Sequence, residues 1–158
     1  MVNLAIFDYG AGNIFSLKNS LEQAGASVDV ITSFDKTNIY SGLLLPGVGN
    51  FDPAIQSINE NSKTKFHDYV KDETPVLGIC LGMEMFFEKS EEGVEKGFNV
   101  IDGEIVVLPS TMKVPHMGWN NLEIKKSGTI LEGVDEGSLF YFFNSYRSKP
   151  KSNEVFTS

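Results

Sequence analysis

Pro75-Val76-Leu77-Gly78-Ile79-Cys80-Leu81-Gly82-Met83-Glu84 is the stretch on which the fold turns. Val76 to Ile79 is a short apolar run bounded by turn residues, which predicts a buried strand. Leu81 to Phe87 predicts a helix start. Cys80, the single cysteine of 158 residues, stands at the joint with glycine two positions before it and two after. This is the strand–nucleophile–helix turn that lifts a reactive side chain off the end of a sheet, with Cys in place of Ser. Side chains at the flanking positions would clash in so tight a turn, hence Gly78 and Gly82. A cysteine at a helix N-terminus also meets unpaired N–H groups and a dipole that favour a thiolate. The same N–H groups can hold an oxyanion. A lone cysteine in an arbitrary chain is more often a small buried hydrophobe. The strand, the paired glycines and the helix start favour the reactive reading here.

Upstream of the turn, strands and helices alternate. Leu4 to Phe7 reads as a strand ended by Asp8-Tyr9-Gly10-Ala11-Gly12-Asn13. Ile14, Leu17, Leu21 and Ala24 recur at helical spacing, and Gly25 stops that helix. Val28 to Ile31 and Tyr40 to Leu45 read as the next two strands. The latter ends at Pro46-Gly47-Val48-Gly49-Asn50, and a helical region follows from Asp52 to Lys71. Such βα alternation predicts a flavodoxin-like α/β fold, with a mostly parallel central sheet and helices on both faces. Downstream, residues 94–147 are punctuated by glycine. Gly97-Phe98-Asn99-Val100, Ile105 to Leu108, Leu122-Glu123-Ile124 and Leu139 to Phe143 predict added antiparallel strands and hairpins. Arg147 to Asn153 reads as a polar turn, and Val155-Phe156 as the start of another strand.

Composition narrows the function classes. The length suits one domain with a real core. A net charge of −8 and a pI near 4.7 argue against non-specific nucleic-acid binding, which needs a basic face. One cysteine excludes an intrachain disulfide framework and fits a reducing compartment. Met1 to Asp8 lacks the pattern of a signal peptide, and no apolar run is long enough to span a membrane. The two histidines, His67 and His116, are not spaced with Cys80 for a structural zinc site.

Sites in open parallel sheets form beyond the carboxyl ends of strands. Three glycine-rich turns fall there: Gly10 to Asn13, Gly47 to Asn50, and the Cys80 turn. Glycine lets backbone N–H groups approach a ligand, so Gly47-Val48-Gly49 is a candidate oxyanion strand facing Cys80. The plainer reading of the same residues is a Pro-Gly turn.

Asp8-Tyr9-Gly10-Ala11-Gly12-Asn13, Leu45-Pro46-Gly47-Val48-Gly49, Gly78-Ile79-Cys80-Leu81-Gly82-Met83 and Val114-Pro115-His116-Met117-Gly118-Trp119-Asn120 occur in this order. With Phe140-Tyr141-Phe142 and Ser145-Tyr146, the whole chain closely resembles the glutaminase subunits of imidazole glycerol phosphate synthase. These are class I (triad) glutamine amidotransferases of histidine biosynthesis. The resemblance implies that the Cys80 thiolate attacks the side-chain amide of glutamine. Backbone N–H groups of Gly47, Val48, Gly49 and Leu81 would hold the intermediate. Gly49, Met83, Glu84, Ser145 and Tyr146 would bind glutamine. Ammonia would pass to a cyclase barrel partner, with Asn13, Trp119 and Asn120 near that interface. A helix-start Asn and a core Trp are the plainer readings of Asn13 and Trp119. No cofactor, metal, nucleic acid or membrane is called for, and the location expected is cytoplasmic.

The chain departs from the family pattern in three places. The family's base and its partner lie in a His-Pro-Glu segment near the C-terminus. Here His67 falls in the polar stretch Lys63 to Lys71, His116 belongs to the Pro-His-Met-Gly-Trp-Asn segment, and the sequence stops at Ser158. The reading is therefore a single class I domain, residues 1–158, lacking its C-terminal end. Glu84 stands where the family usually has Gln, adding a charge and losing an amide donor. Asn144 stands where it usually has His. Two alternatives remain beside the enzyme subunit. One is a non-catalytic or truncated paralogue that only binds the cyclase. The other is an unrelated cysteine hydrolase or chaperone-like protein on a similar sheet.

Overall fold

A computed structural model describes residues 1–34, 39–126 and 128–151. Val155-Phe156, expected as a strand start, lie outside the described residues. Four parallel strands make the central sheet: β1 (Asn3–Phe7), β2 (Ser27–Ile31), β3 (Gly42–Gly47) and β4 (Val76–Cys80), in the order β2-β1-β3-β4. This is the order of a flavodoxin-like sheet, whose ligand crevice opens at the carboxyl ends of the strands.

Alternation along the strands divides the core in two. Ala5 and Phe7 of β1 and Leu43 and Leu45 of β3 face α2 (Phe51–Ser57) and α3 (Glu60–Lys71). There they meet Phe51, Ile55, Phe66 and Phe86. Phe66 is fully buried, its ring centroid 4.4 Å from that of Phe98. Ile6, Val28 and Leu44 face the other way, against Leu17 and Leu21 of α1 (Ile14–Gln23). Gly25, at φ +92°, ends α1 in the left-handed conformation that glycine takes without strain.

The second half builds smaller sheets. β5 (Lys89–Ser90) runs parallel to β6 (Gly103–Val107), which pairs antiparallel with β9 (Tyr146–Pro150). β7 (His116–Asn121) and β8 (Leu139–Asn144) form a separate antiparallel pair.

Several sequence expectations are corrected. The expected helix over Asp52 to Lys71 is two helices, because Asn59 interrupts it and caps α3 by accepting from Ser62 N at 2.8 Å. The third strand runs Gly42–Gly47 rather than Tyr40 to Leu45. The helix after Cys80, α4, covers only Leu81–Glu84 instead of reaching Phe87. The carbonyls of Met85 and Phe86 accept instead from the N–H groups of Phe98 (2.7 Å) and Val100 (2.8 Å). Those bonds hold Gly97 to Val100 as an irregular segment rather than a strand. Leu122 to Ile124 follows β7 without forming a strand of its own, and the polar stretch from Arg147 is strand β9 through Pro150. A zip of charge supports that strand: Lys149 donates to Glu104 at 3.1 Å across the β6–β9 pair. Finally, β4 is not buried on both faces. Leu77 and Ile79 are 40% and 38% exposed, since β4 is the sheet edge and α1 packs over β1 and β2.

Candidate active site

The turn at Cys80 is as tight as its glycines imply. A Cβ on Gly78 would lie 2.5 Å from Met83 Cα and 2.7 Å from Met83 N. A Cβ on Gly82 would overlap the carbonyl oxygen of Leu45 on β3. The glycines let α4 fold back onto the strands, and the chain reverses at Cys80 itself, whose φ is +54° and ψ −119°. A non-glycine residue rarely holds a left-handed φ, and such outliers gather at functional sites. The consequence is an exposed Cys80 at the carboxyl end of the sheet.

Cys80 opens into a cavity of about 190 Å³. Val48 and Gly49, just after β3, form one wall; Gly49 has φ +106°. Leu81 and Glu84 of α4 form the floor beside the sulfur. Glu92, in the loop after β5, stands across from them. Phe143, Asn144, Ser145 and Tyr146, at the junction of β8 and β9, close the far side. Four separate stretches of the chain therefore line this one cavity. Of the residues predicted for the site, the fold brings together Val48, Gly49, Cys80, Leu81, Glu84, Ser145 and Tyr146. Gly47 lies behind the wall as part of β3, where a Cβ would run into Leu81 Cβ and Gly82 N, each at 2.8 Å, and the Tyr9 hydroxyl. Met83 packs under Gly78 and does not line the cavity.

The surface predicted to meet a partner is a different place. Asn13 caps α1, accepting from Ser16 N at 3.2 Å, which is the structural role a helix-start Asn suggests. Trp119 is not a core residue: it is 67% exposed on β7, edge-on to Tyr141 at 5.6 Å between ring centroids. Asn120 is exposed and donates from Nδ2 to Nε2 of His116 at 2.7 Å.

Sequence reasoning missed Glu92 and Phe143 as site residues. Glu92 sits in the acidic run Glu88 to Glu95, which in sequence resembles any solvated face. Its position follows from a bond invisible in sequence: its carboxylate accepts from Phe51 N at 2.8 Å, capping α2 in place of Asn50, whose side chain makes no capping bond. Asp52 in the same turn accepts from Val94 N and Glu95 N, at 3.0 and 2.9 Å, and so ties down the rest of this loop.

The electrostatics correct one expectation. The helix start was expected to favour a thiolate, yet the Cys80 thiol is held above its ordinary pKa. Burial is the main cause, and the charges of Glu84 and Glu92 add to it. The Leu81 N–H pulls the other way and is outweighed. A four-residue helix supplies little dipole against the partial burial of this thiol and the two carboxylates near it. Glu84 is itself pushed up to about 7, first by burial and then by Glu92. Tyr9, whose buried hydroxyl has no hydrogen-bond partner, is raised strongly by burial and by the neighbouring Cys80 and Glu84. Among the described residues no group of three or more His, Cys, Asp or Glu could hold a metal. Among the same residues no helix is long and apolar enough to cross a membrane.

Residues 5–156 match the family model described as "Glutamine amidotransferase class-I", and the chain belongs to that family. The fold agrees: PurLQS from Thermotoga maritima superposes with a TM-score of 0.74 over 99% of this chain and 73% of its own, at 16% identity. A second solved structure, of a glutamine amidotransferase, gives 0.75 over 98% of this chain and 78% of its own, at 14% identity. Within the family the chain groups with the imidazole glycerol phosphate synthase subunits HisH. It is 40% identical over 153 residues to that of Aquifex aeolicus and 43% identical over 146 residues to that of Archaeoglobus fulgidus. The matches cover 95% and 90% of this chain, and 74% and 72% of those relatives.

Proposed function

We propose that this chain is the glutaminase subunit of an imidazole glycerol phosphate synthase, a single amidotransferase domain in which Cys80 is the nucleophile. The observation that carries the reading is the cavity at Cys80, walled by a glycine strand on one side and by Ser145-Tyr146 on the other. The thiolate adds to the side-chain amide carbon of glutamine. N–H groups of Val48, Gly49 and Leu81 meet the oxyanion that develops. The proton given up by the thiol reaches the amide nitrogen, the C–N bond breaks and ammonia leaves. Water then cleaves the glutamyl thioester, giving glutamate and restoring the thiol. Glu84, Ser145 and Tyr146 orient the glutamine. The ammonia is delivered to a cyclase barrel partner, which meets Asn13, Trp119 and Asn120. A biosynthetic role of this kind supports a cytoplasmic location for the pair. No cofactor enters this scheme.

One observation favours a second reading. A raised thiol needs a proton acceptor, and neither His67 nor His116 lines the cavity. A chain with this arrangement could bind the cyclase without hydrolysing glutamine. The deciding experiment mixes the chain with the cyclase subunit and measures two things. These are glutamate release and covalent labelling of Cys80 by a diazoketone analogue of glutamine. Labelling and release, both abolished by Cys80→Ala, are expected once the family's His-Pro-Glu segment is present to supply the base. Complex formation with neither signal establishes the binding-only reading, and failure to form a complex removes both.

A further inference from the structure

The Cys80 cavity has an unusual balance of charge for a site that would process an amino acid. Among the described residues, two carboxyl groups line it and no lysine, arginine or histidine does. Glu84 lies four residues after Cys80 across the short helix α4, on the side of the sulfur. Glu92 faces it from the loop after β5 and is not free to swing away, because it is bonded to Phe51 N at 2.8 Å. The other titratable groups facing Glu84 are Cys80 from β4, the buried Tyr9 hydroxyl after β1, and Tyr146 from β9. All of these are neutral or anionic when they titrate.

Resting on the glutaminase reading and extending it, we propose that Glu84, backed by Glu92, makes this cavity a charge filter that admits an uncharged carboxamide to the Cys80 sulfur and turns away a carboxylate. A carboxamide adds no charge to the pair. A carboxylate becomes a third anion in a partly desolvated space, where like charges repel more strongly than in water. The substrate glutamine and the product glutamate differ at the very group that reaches the sulfur. The filter would therefore hasten product release and keep glutamate from occupying the site. It would operate when Glu84 is ionised and relax when Glu84 takes up a proton.

Two small thiol reagents test this without requiring turnover. Iodoacetamide carries the carboxamide and iodoacetate the carboxylate. In each case the thiolate sulfur forms the new C–S bond and iodide leaves. Both consume the same thiolate, so the ratio of their rates cancels the ionisation of Cys80, and a single cysteine makes the labelling unambiguous. At pH 8 the amide-to-acid rate ratio is expected to exceed that of a small free thiol by about tenfold, the effect of one pKa unit of coupling. Glu84→Gln should bring the ratio most of the way back. In the unmodified chain the ratio should fall as pH drops through about 7, where Glu84 gains its proton. A ratio at pH 8 equal to that of the free thiol, or one untouched by Glu84→Gln, overturns the proposal, as does a folded chain that neither reagent alkylates. If Glu84→Gln does not fold, the pH series on the unmodified chain decides alone. The two readings fail separately. Glutamate release by the complex with an ordinary ratio removes only the filter. The expected ratio without any glutamine turnover removes only the glutaminase reading.

Discussion

Apolar residues of the same kinds have opposite fates in the two halves of this molecule. In the parallel half, Leu43, Leu45, Phe51 and Phe66 are sealed between the sheet and the pair α2 and α3. In the β7–β8 hairpin, one face carries Met117, Trp119, Leu139, Tyr141 and Phe143. They pair across the strands as Met117 with Phe143 and Trp119 with Tyr141, and all five are more than half exposed. Two strands alone cannot cover their own apolar side. The comparison separates residues that hold the fold from residues that offer a surface. Phe143 belongs to both that open face and the wall of the Cys80 cavity, so the surface and the chemistry adjoin.

The difference can be broken first in the sealed half. Phe66→Ala should cost about 3–5 kcal/mol, the usual range for emptying a fully buried aromatic site, read as a fall in the urea midpoint at constant slope. A loss below about 1 kcal/mol would show that the α3 face is not the core. Next in size is Gly82→Ala, whose methyl group would strike the Leu45 carbonyl. Overpacking of this kind costs about 1–3 kcal/mol, and Cys80 alkylation should slow with it as α4 is pushed off β3. Unchanged stability would mean that α4 does not rest on the strand.

A smaller effect belongs to Glu84. Its pKa of about 7 in the folded chain lies above the ordinary glutamate value, so the folded state binds more protons than the unfolded one between about pH 4.5 and 7. Stability should fall as pH rises through that window, by about 1–2 kcal/mol once solvent screening of a partly exposed group is allowed for. Glu84→Gln should flatten that part of the pH–stability curve, and an identical curve would contradict the assignment. The smallest expected change is Trp119→Ala, within about 0.5 kcal/mol on stability because the ring is exposed. The same variant should weaken cyclase binding at least about tenfold if Trp119 is a central contact of that interface. A large loss of stability with unchanged binding would reverse the contrast between the two halves.

Local patterns carried much of this into the sequence. Gly78-Ile79-Cys80-Leu81-Gly82 announced a strand and a reversal at Cys80, because a turn that tight admits only glycine at its flanks. The alternation of Leu4 to Phe7 and the spacing of Ile14, Leu17 and Leu21 announced the first βα unit through periodicity alone. Boundaries were less legible. The break between α2 and α3 depends on the Asn59 cap, and α4 stops early because the 98–101 segment takes the carbonyls of Met85 and Phe86.

What the sequence by itself determined is the building blocks of the parallel sheet, the place of Cys80 at the strand–helix turn and the glycine-rich turn that follows β3. These rest on neighbours in the chain, and steric rules between neighbours are written in residue order. Only the tertiary structure decided that Glu92 faces Cys80, that Phe143 walls the cavity, that Met83 does not, and that the thiol is raised rather than lowered. Each of those depends on groups tens of residues apart brought within reach by long-range hydrogen bonds and burial. Charge repulsion and desolvation act through space and leave no period in the sequence.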